Sequence, residues 1–83
     1  MFLENLEVYY TSESINNRFE QSVWDMLIEG AIQVYQEEIE DPNADELVVS
    51  IFEGQINYDF YLDGNLVYQS WDNIKSLQQE GIL

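Results

Sequence analysis

The apolar positions of this chain change period along its length. From Phe2 to Tyr10 they alternate loosely, with Phe2, Leu6, Val8 and Tyr10 on one parity, which predicts a first β-strand. Thr11-Ser12-Glu13-Ser14 then supplies side chains suited to cap a helix. From Ile15 to Ile39 the period lengthens. At about 100° per residue, Val23, Trp24, Leu27, Ile28, Ala31, Val34, Tyr35 and Ile39 share one broad face, and Arg18, Ser22, Asp25, Glu29, Gln33, Gln36, Glu37 and Glu40 gather opposite. The pattern predicts a long amphipathic helix over 15–39. Gly30 lies inside it, where glycine costs about 1 kcal/mol relative to alanine; close approach to a sheet would account for it. Asp41-Pro42 ends the helix, because proline disfavours helical backbone before it and carries no N–H.

The period then falls to two. Leu47, Val49 and Ile51 alternate with Val48, Ser50 and Phe52, and Ile56, Tyr58, Phe60 and Leu62 alternate with Asn57, Asp59 and Tyr61. These runs predict two strands joined at Glu53-Gly54. Asp63-Gly64 is a strong hairpin signal and returns a short strand over 65–69. Ser70 or Asp72 would cap a final helix ending at Gly81. The order β-α-β-β-β-α predicts an α+β, two-layer sandwich: an antiparallel β-meander, the long helix packed on it, and a short C-terminal helix. The place of the first strand in the sheet stays open.

Length adds that 83 residues make one domain, 1–83, and 46% hydrophobic residues can supply a core. No run nears the roughly 20 apolar residues of a membrane span, and the first residues lack the basic start and apolar run of a signal peptide. An intracellular, cytoplasmic location is expected.

Charge changes the picture most. Seventeen Asp and Glu stand against Arg18 and Lys75, a net charge of −15. A compact chain of this length spans roughly 30 Å, and duplex DNA over that length carries about 18 phosphates. Ordinary surfaces mix both signs, because one-sided charge repels itself and destabilises the compact state. A basic partner is the simplest compensation.

Candidate chemistry is sparse. The chain has no cysteine and no histidine, which removes thiolate chemistry, the commonest general base and the commonest metal ligand. No P-loop or dinucleotide-binding glycine turn is present. Asp41-Pro42-Asn43-Ala44-Asp45-Glu46 starts like a calcium-binding EF-hand loop, but Glu46 replaces the glycine at position six and Phe52 the bidentate glutamate at position twelve. The expectation is a binding protein with no enzymatic activity, no cofactor and no metal.

Three constellations could bind. The first is an acidic row on the long helix, Asp25, Glu29, Glu37 and Glu40, which would otherwise be a solvated face. The second is the helix-to-strand junction, Glu37, Glu38, Glu40, Asp41, Asp45 and Glu46, six acids in ten residues, which opposes the helix dipole. The third is aromatic. Most tyrosines and tryptophans read as core, but Tyr61 falls on the strand face opposite Tyr58 and Phe60, beside Asp59. If that face is open, it is a mixed aromatic and anionic patch of the kind that suits a basic interface.

The leading functional expectation is a DNA mimic, whose carboxylates occupy the site of a nucleic-acid-binding protein: a nuclease, a CRISPR effector, a glycosylase or a DNA-binding protein. In size, charge and lack of chemistry the chain resembles small phage-encoded inhibitors of uracil-DNA glycosylase and several anti-CRISPR proteins. That resemblance covers composition and architecture, and carries no functional residue across. The alternative is an immunity protein or antitoxin that neutralises a basic toxin such as a nuclease. A structural subunit is a third reading, since the apolar helix face and an open strand edge would permit a homodimer. Salt adaptation is a fourth, with charge spread evenly. Direct nucleic-acid and membrane binding are not expected.

Overall fold

The computed structural model describes residues 5–83 and has the order β1 (Glu7–Tyr10), α1 (Glu13–Asn16), α2 (Gln21–Glu38), β2 (Glu46–Phe52), β3 (Gln55–Leu62), β4 (Asn65–Asn73) and α3 (Ile74–Gln79). The four strands form one sheet in sequence order. The β2-β3-β4 meander is antiparallel, as the alternation predicts. Its turns, Glu53-Gly54 and Asp63-Gly64, carry positive φ at both residues, 51° and 78°, then 51° and 79°. That is the backbone of a two-residue type I′ hairpin, whose twist matches the strands it joins.

The first strand joins at the edge beside β2 and runs parallel to it, pairing Glu7 with Glu46 and Tyr9 with Val48. Parallel neighbours need a long crossover, and α2 supplies it. The predicted part of this strand at 2–4 lies outside the described residues.

The long helix is shorter than its periodicity suggests. It starts at Gln21, after a separate short turn over Glu13–Asn16. In one continuous helix Ile15 and Phe19 would lie roughly 180° and 220° around from Trp24, on the solvent side. The break turns both against the core. It is held by Trp24 Nε1–H donating to the Asn16 carbonyl at 2.9 Å and by the Phe19 ring tilted on Trp24 at 5.1 Å.

One core lies between α2 and the sheet, with Trp24, Tyr35, Leu47, Val49, Ile56, Tyr58 and Phe60 at its centre. Ile32 is buried too, although absent from the expected face, whereas Val34 is exposed. Tyr35 stacks on Phe60 at 4.4 Å. Its hydroxyl accepts from the Asn43 and Ala44 backbone N–H groups, each at 3.1 Å. The residue after the helix is extended, and its N–H returns to the Tyr35 carbonyl.

Two expectations are corrected. Gly30 does not mark a close approach: a side chain there would meet nothing within 4 Å. The last strand runs to Asn73, and neither Ser70 nor Asp72 caps α3. Ser70 and Asp72 pair with Tyr58 and Ile56 across the sheet, and Asn73 caps α3 by accepting from the Ser76 N–H at 3.1 Å. Four further ladder positions outcompete the local preference of serine and aspartate for a cap. No helix among the described residues is long and apolar enough to cross a membrane.

Candidate functional site

Both long-helix packing and the α3 contacts fall on one face of the sheet, the face of Leu47, Tyr58 and Phe60. Register then decides what the other face carries. Side chains alternate along a strand, so the uncovered face presents Glu7 and Tyr9 from β1, Glu46, Val48 and Phe52 from β2, Asp59 and Tyr61 from β3, and Gln69 and Trp71 from β4. Four strands spaced about 4.8 Å apart span about 15 Å, a surface wide enough for a partner element.

Phe52 and Trp71 are 68% and 62% exposed, and Tyr9 is 45% exposed. Tyr9 and Tyr61 stand beside carboxylates, whereas Trp71 is paired with Asn57 and Phe52 with Gln55 toward the other end of the face. Glu46 is paired with Tyr61 across β2 and β3, and with Glu7 across β1 and β2. Like charges so placed oppose pairing, which the Tyr9 hydroxyl moderates by donating to Glu7. That hydrogen bond and the nearby Glu7, Glu46 and Asp45 charges push the Tyr9 hydroxyl pKa above its ordinary value. Asp59 accepts from Gln69 Nε2 at 3.0 Å, which orients its carboxylate.

The expected contact residues fall in three places. Glu46, Asp59 and Tyr61 share the open face, as alternation implies. Asp25 and Glu29 lie on the helix layer, beside β1, where they flank a groove also lined by Val8 and Tyr10. The Tyr10 hydroxyl pKa is raised chiefly by burial; a Gln21 hydrogen bond lowers it, and the Asp25 charge adds to the rise. Glu37, Glu38, Glu40 and Asp41 are exposed at the C-terminal end of α2. Helix row and open face are on opposite layers, so no single flat partner surface covers both.

The junction is well held for a loop. Beyond the two bonds to Tyr35, the Asp45 N–H donates to the Tyr61 carbonyl and the Glu7 N–H to the Asp45 carbonyl, both at 2.9 Å. Asp45 Oδ2 accepts from the Asp63 N–H at 3.4 Å. Asp45 therefore ties three elements together and is not a free contact group. Among the described residues no three acidic side chains converge to hold a metal ion, and no charged side chain is buried.

Tyr9, Phe52, Trp71 and Glu7 are open-face residues absent from the expected set. Phe52 shares parity with Val48 and Ser50, so its face was readable from alternation. Trp71 lies beyond the short strand over 65–69 that the hairpin signal predicts, so alternation there does not reach it. No family model, curated protein sequence or solved structure matches the chain.

Proposed function

We propose that this protein is an inhibitor that acts in the cytoplasm by occupying the basic nucleic-acid-binding surface of another protein, its carboxylates standing in for phosphates. The observation that carries the reading is the uncovered sheet face, where Glu7, Glu46 and Asp59 cluster at one end around exposed Tyr9, and exposed Trp71 and Phe52 extend the surface toward the other end. Charge sets the encounter. The molecule measures 33 × 25 × 22 Å and carries −15, against about 19 phosphates on duplex DNA as long as its longest axis. Such a field steers a basic partner at low salt and fades as salt screens it. The aromatic side chains would supply what charge cannot, area that is desolvated on contact and a fixed register.

The exposed Phe52 and Trp71 also favour a second reading. A partner that had evolved against this face, as a toxin does with its immunity protein, would offer pockets for those rings that a general DNA-binding groove lacks.

The deciding experiment is affinity capture from a host lysate, washed at low and then moderate salt, with bound proteins identified by mass spectrometry. Recovery of a nucleic-acid-binding protein that duplex DNA displaces supports mimicry. Recovery of a toxin that DNA does not displace supports immunity. Salt-labile background alone refutes both.

A further inference from the structure

A groove of about 390 Å³ runs between α2, β4 and α3, on the helix side of the sheet and away from the open face. That is more than twice the ~150 Å³ that admits a benzene ring. Its walls are apolar, with Met26 and Val34 on α2 facing Leu77 and Ile82. Its floor is polar. Ser70 and Asp72 sit two apart on β4 and so share a face. Asp72 Oδ2 accepts from the buried Tyr58 hydroxyl at 2.8 Å, while the Ser70 Oγ is buried without a hydrogen-bond partner. An unsatisfied buried hydroxyl is unfavourable, and Ser70 lines the groove beside the Asp72 carboxylate.

Gly30 lines the same groove, where a side chain would meet open space. It has neither a positive φ nor a neighbour that requires glycine. A mid-helix glycine costs about 1 kcal/mol, and the structural effect of its missing side chain is to keep the groove open.

We infer that this groove receives an arginine side chain of a protein partner, its aliphatic stem between Met26, Val34 and Leu77 and its guanidinium on Asp72 and Ser70. Long basic side chains bury their stems along apolar walls in this way. Arginine fits better than lysine because its five donors, fixed in a fork, reach both oxygen acceptors together. Glu80 at the rim adds attraction. A second copy of this chain is a poor occupant, since each copy carries −15. The inference rests on the proposed basic partner only for the source of the arginine.

The test uses the whole protein and no partner. Hexylguanidinium, hexylammonium and hexanol are titrated separately while backbone amide shifts are followed by NMR. Hexylguanidinium should move Gly30, Ser70 and Asp72 saturably and bind roughly tenfold more tightly than hexanol, the difference made by charge-assisted hydrogen bonds. Gly30→Leu should abolish those shifts while melting no lower than the parent, and Asp72→Asn should weaken them about tenfold. Equal response to hexanol, equal response to hexylammonium, or shifts that Gly30→Leu leaves unchanged would each overturn the assignment. A failed DNA competition leaves this titration intact, so the two proposals fail separately.

Discussion

The Tyr35 hydroxyl ties the acidic junction to the core, and its removal gives a sharp prediction. Tyr35→Phe keeps the ring and its 4.4 Å stack on Phe60, so packing is unchanged and only the oxygen is lost. Two backbone donors then lose their acceptor, Asn43 N–H and Ala44 N–H. Asn43 is exposed and water can replace the bond. Ala44 is 4% exposed, so its N–H is left unsatisfied, at about 1–3 kcal/mol. For a domain of this size a loss of about 2 kcal/mol lowers the melting temperature by roughly 8–16 °C. Urea unfolding followed by circular dichroism should show a lower midpoint with an unchanged slope, the sign that native stability fell without a change in exposed surface. Hydrogen exchange localises the effect: the Ala44 amide should lose protection while Leu47 and Val49 in β2 keep theirs relative to global unfolding. A midpoint within about 0.3 kcal/mol of the parent would refute the assignment of a buried, unsatisfied donor.

Further outcomes follow from the same reasoning. Raising salt from about 10 mM to 150 mM shortens the screening length from about 30 Å to about 8 Å, below the 33 Å length of the molecule, so the melting temperature should rise by several degrees; a fall would mean that attraction dominates its electrostatics. Burial and the Asp72 hydrogen bond hold the Tyr58 hydroxyl far above its ordinary pKa. The unfolded chain therefore ionises first, and stability should be constant up to about pH 10 and decline above it; Tyr58→Phe should flatten that decline in melts from pH 8 to 11. Gly30→Ala should stabilise the fold by about 0.5–1 kcal/mol, measured by urea unfolding. Once a partner is in hand, Glu46→Lys with Asp59→Lys should weaken binding by orders of magnitude. Reversal of Glu37, Glu40 and Asp41 tests the junction by the same binding assay, and an effect confined to that second set would move the interface to the end of α2.

Much of the fold was legible because each element records its own burial. Alternation separated Leu47 and Tyr58 from Val48 and Asp59 before any pairing was known, and Asp63-Gly64 announced its hairpin through residues that tolerate positive φ. The same logic placed Tyr61 and Asp59 together on a face away from Tyr58. Local pattern failed where a residue had two acceptable states. Ile15 and Phe19 continue a helical sequence, yet reach the core only if the helix breaks, and that gain exists only once Trp24 and Tyr10 are in place. Ser70 and Asp72 are good cap residues, yet extend β4 because β3 offers them partners.

The sequence by itself determined the element order, the two faces of β2 and β3 and the one-sided charge, since these depend on residue type and spacing along the chain. Tertiary structure alone decided that β1 lies parallel beside β2, that the acids divide between opposite layers, and that Gly30, Ser70 and Asp72 border one groove. Those arrangements join residues tens of positions apart. They arise from the packing of whole elements and the closure of long loops, which no local period encodes.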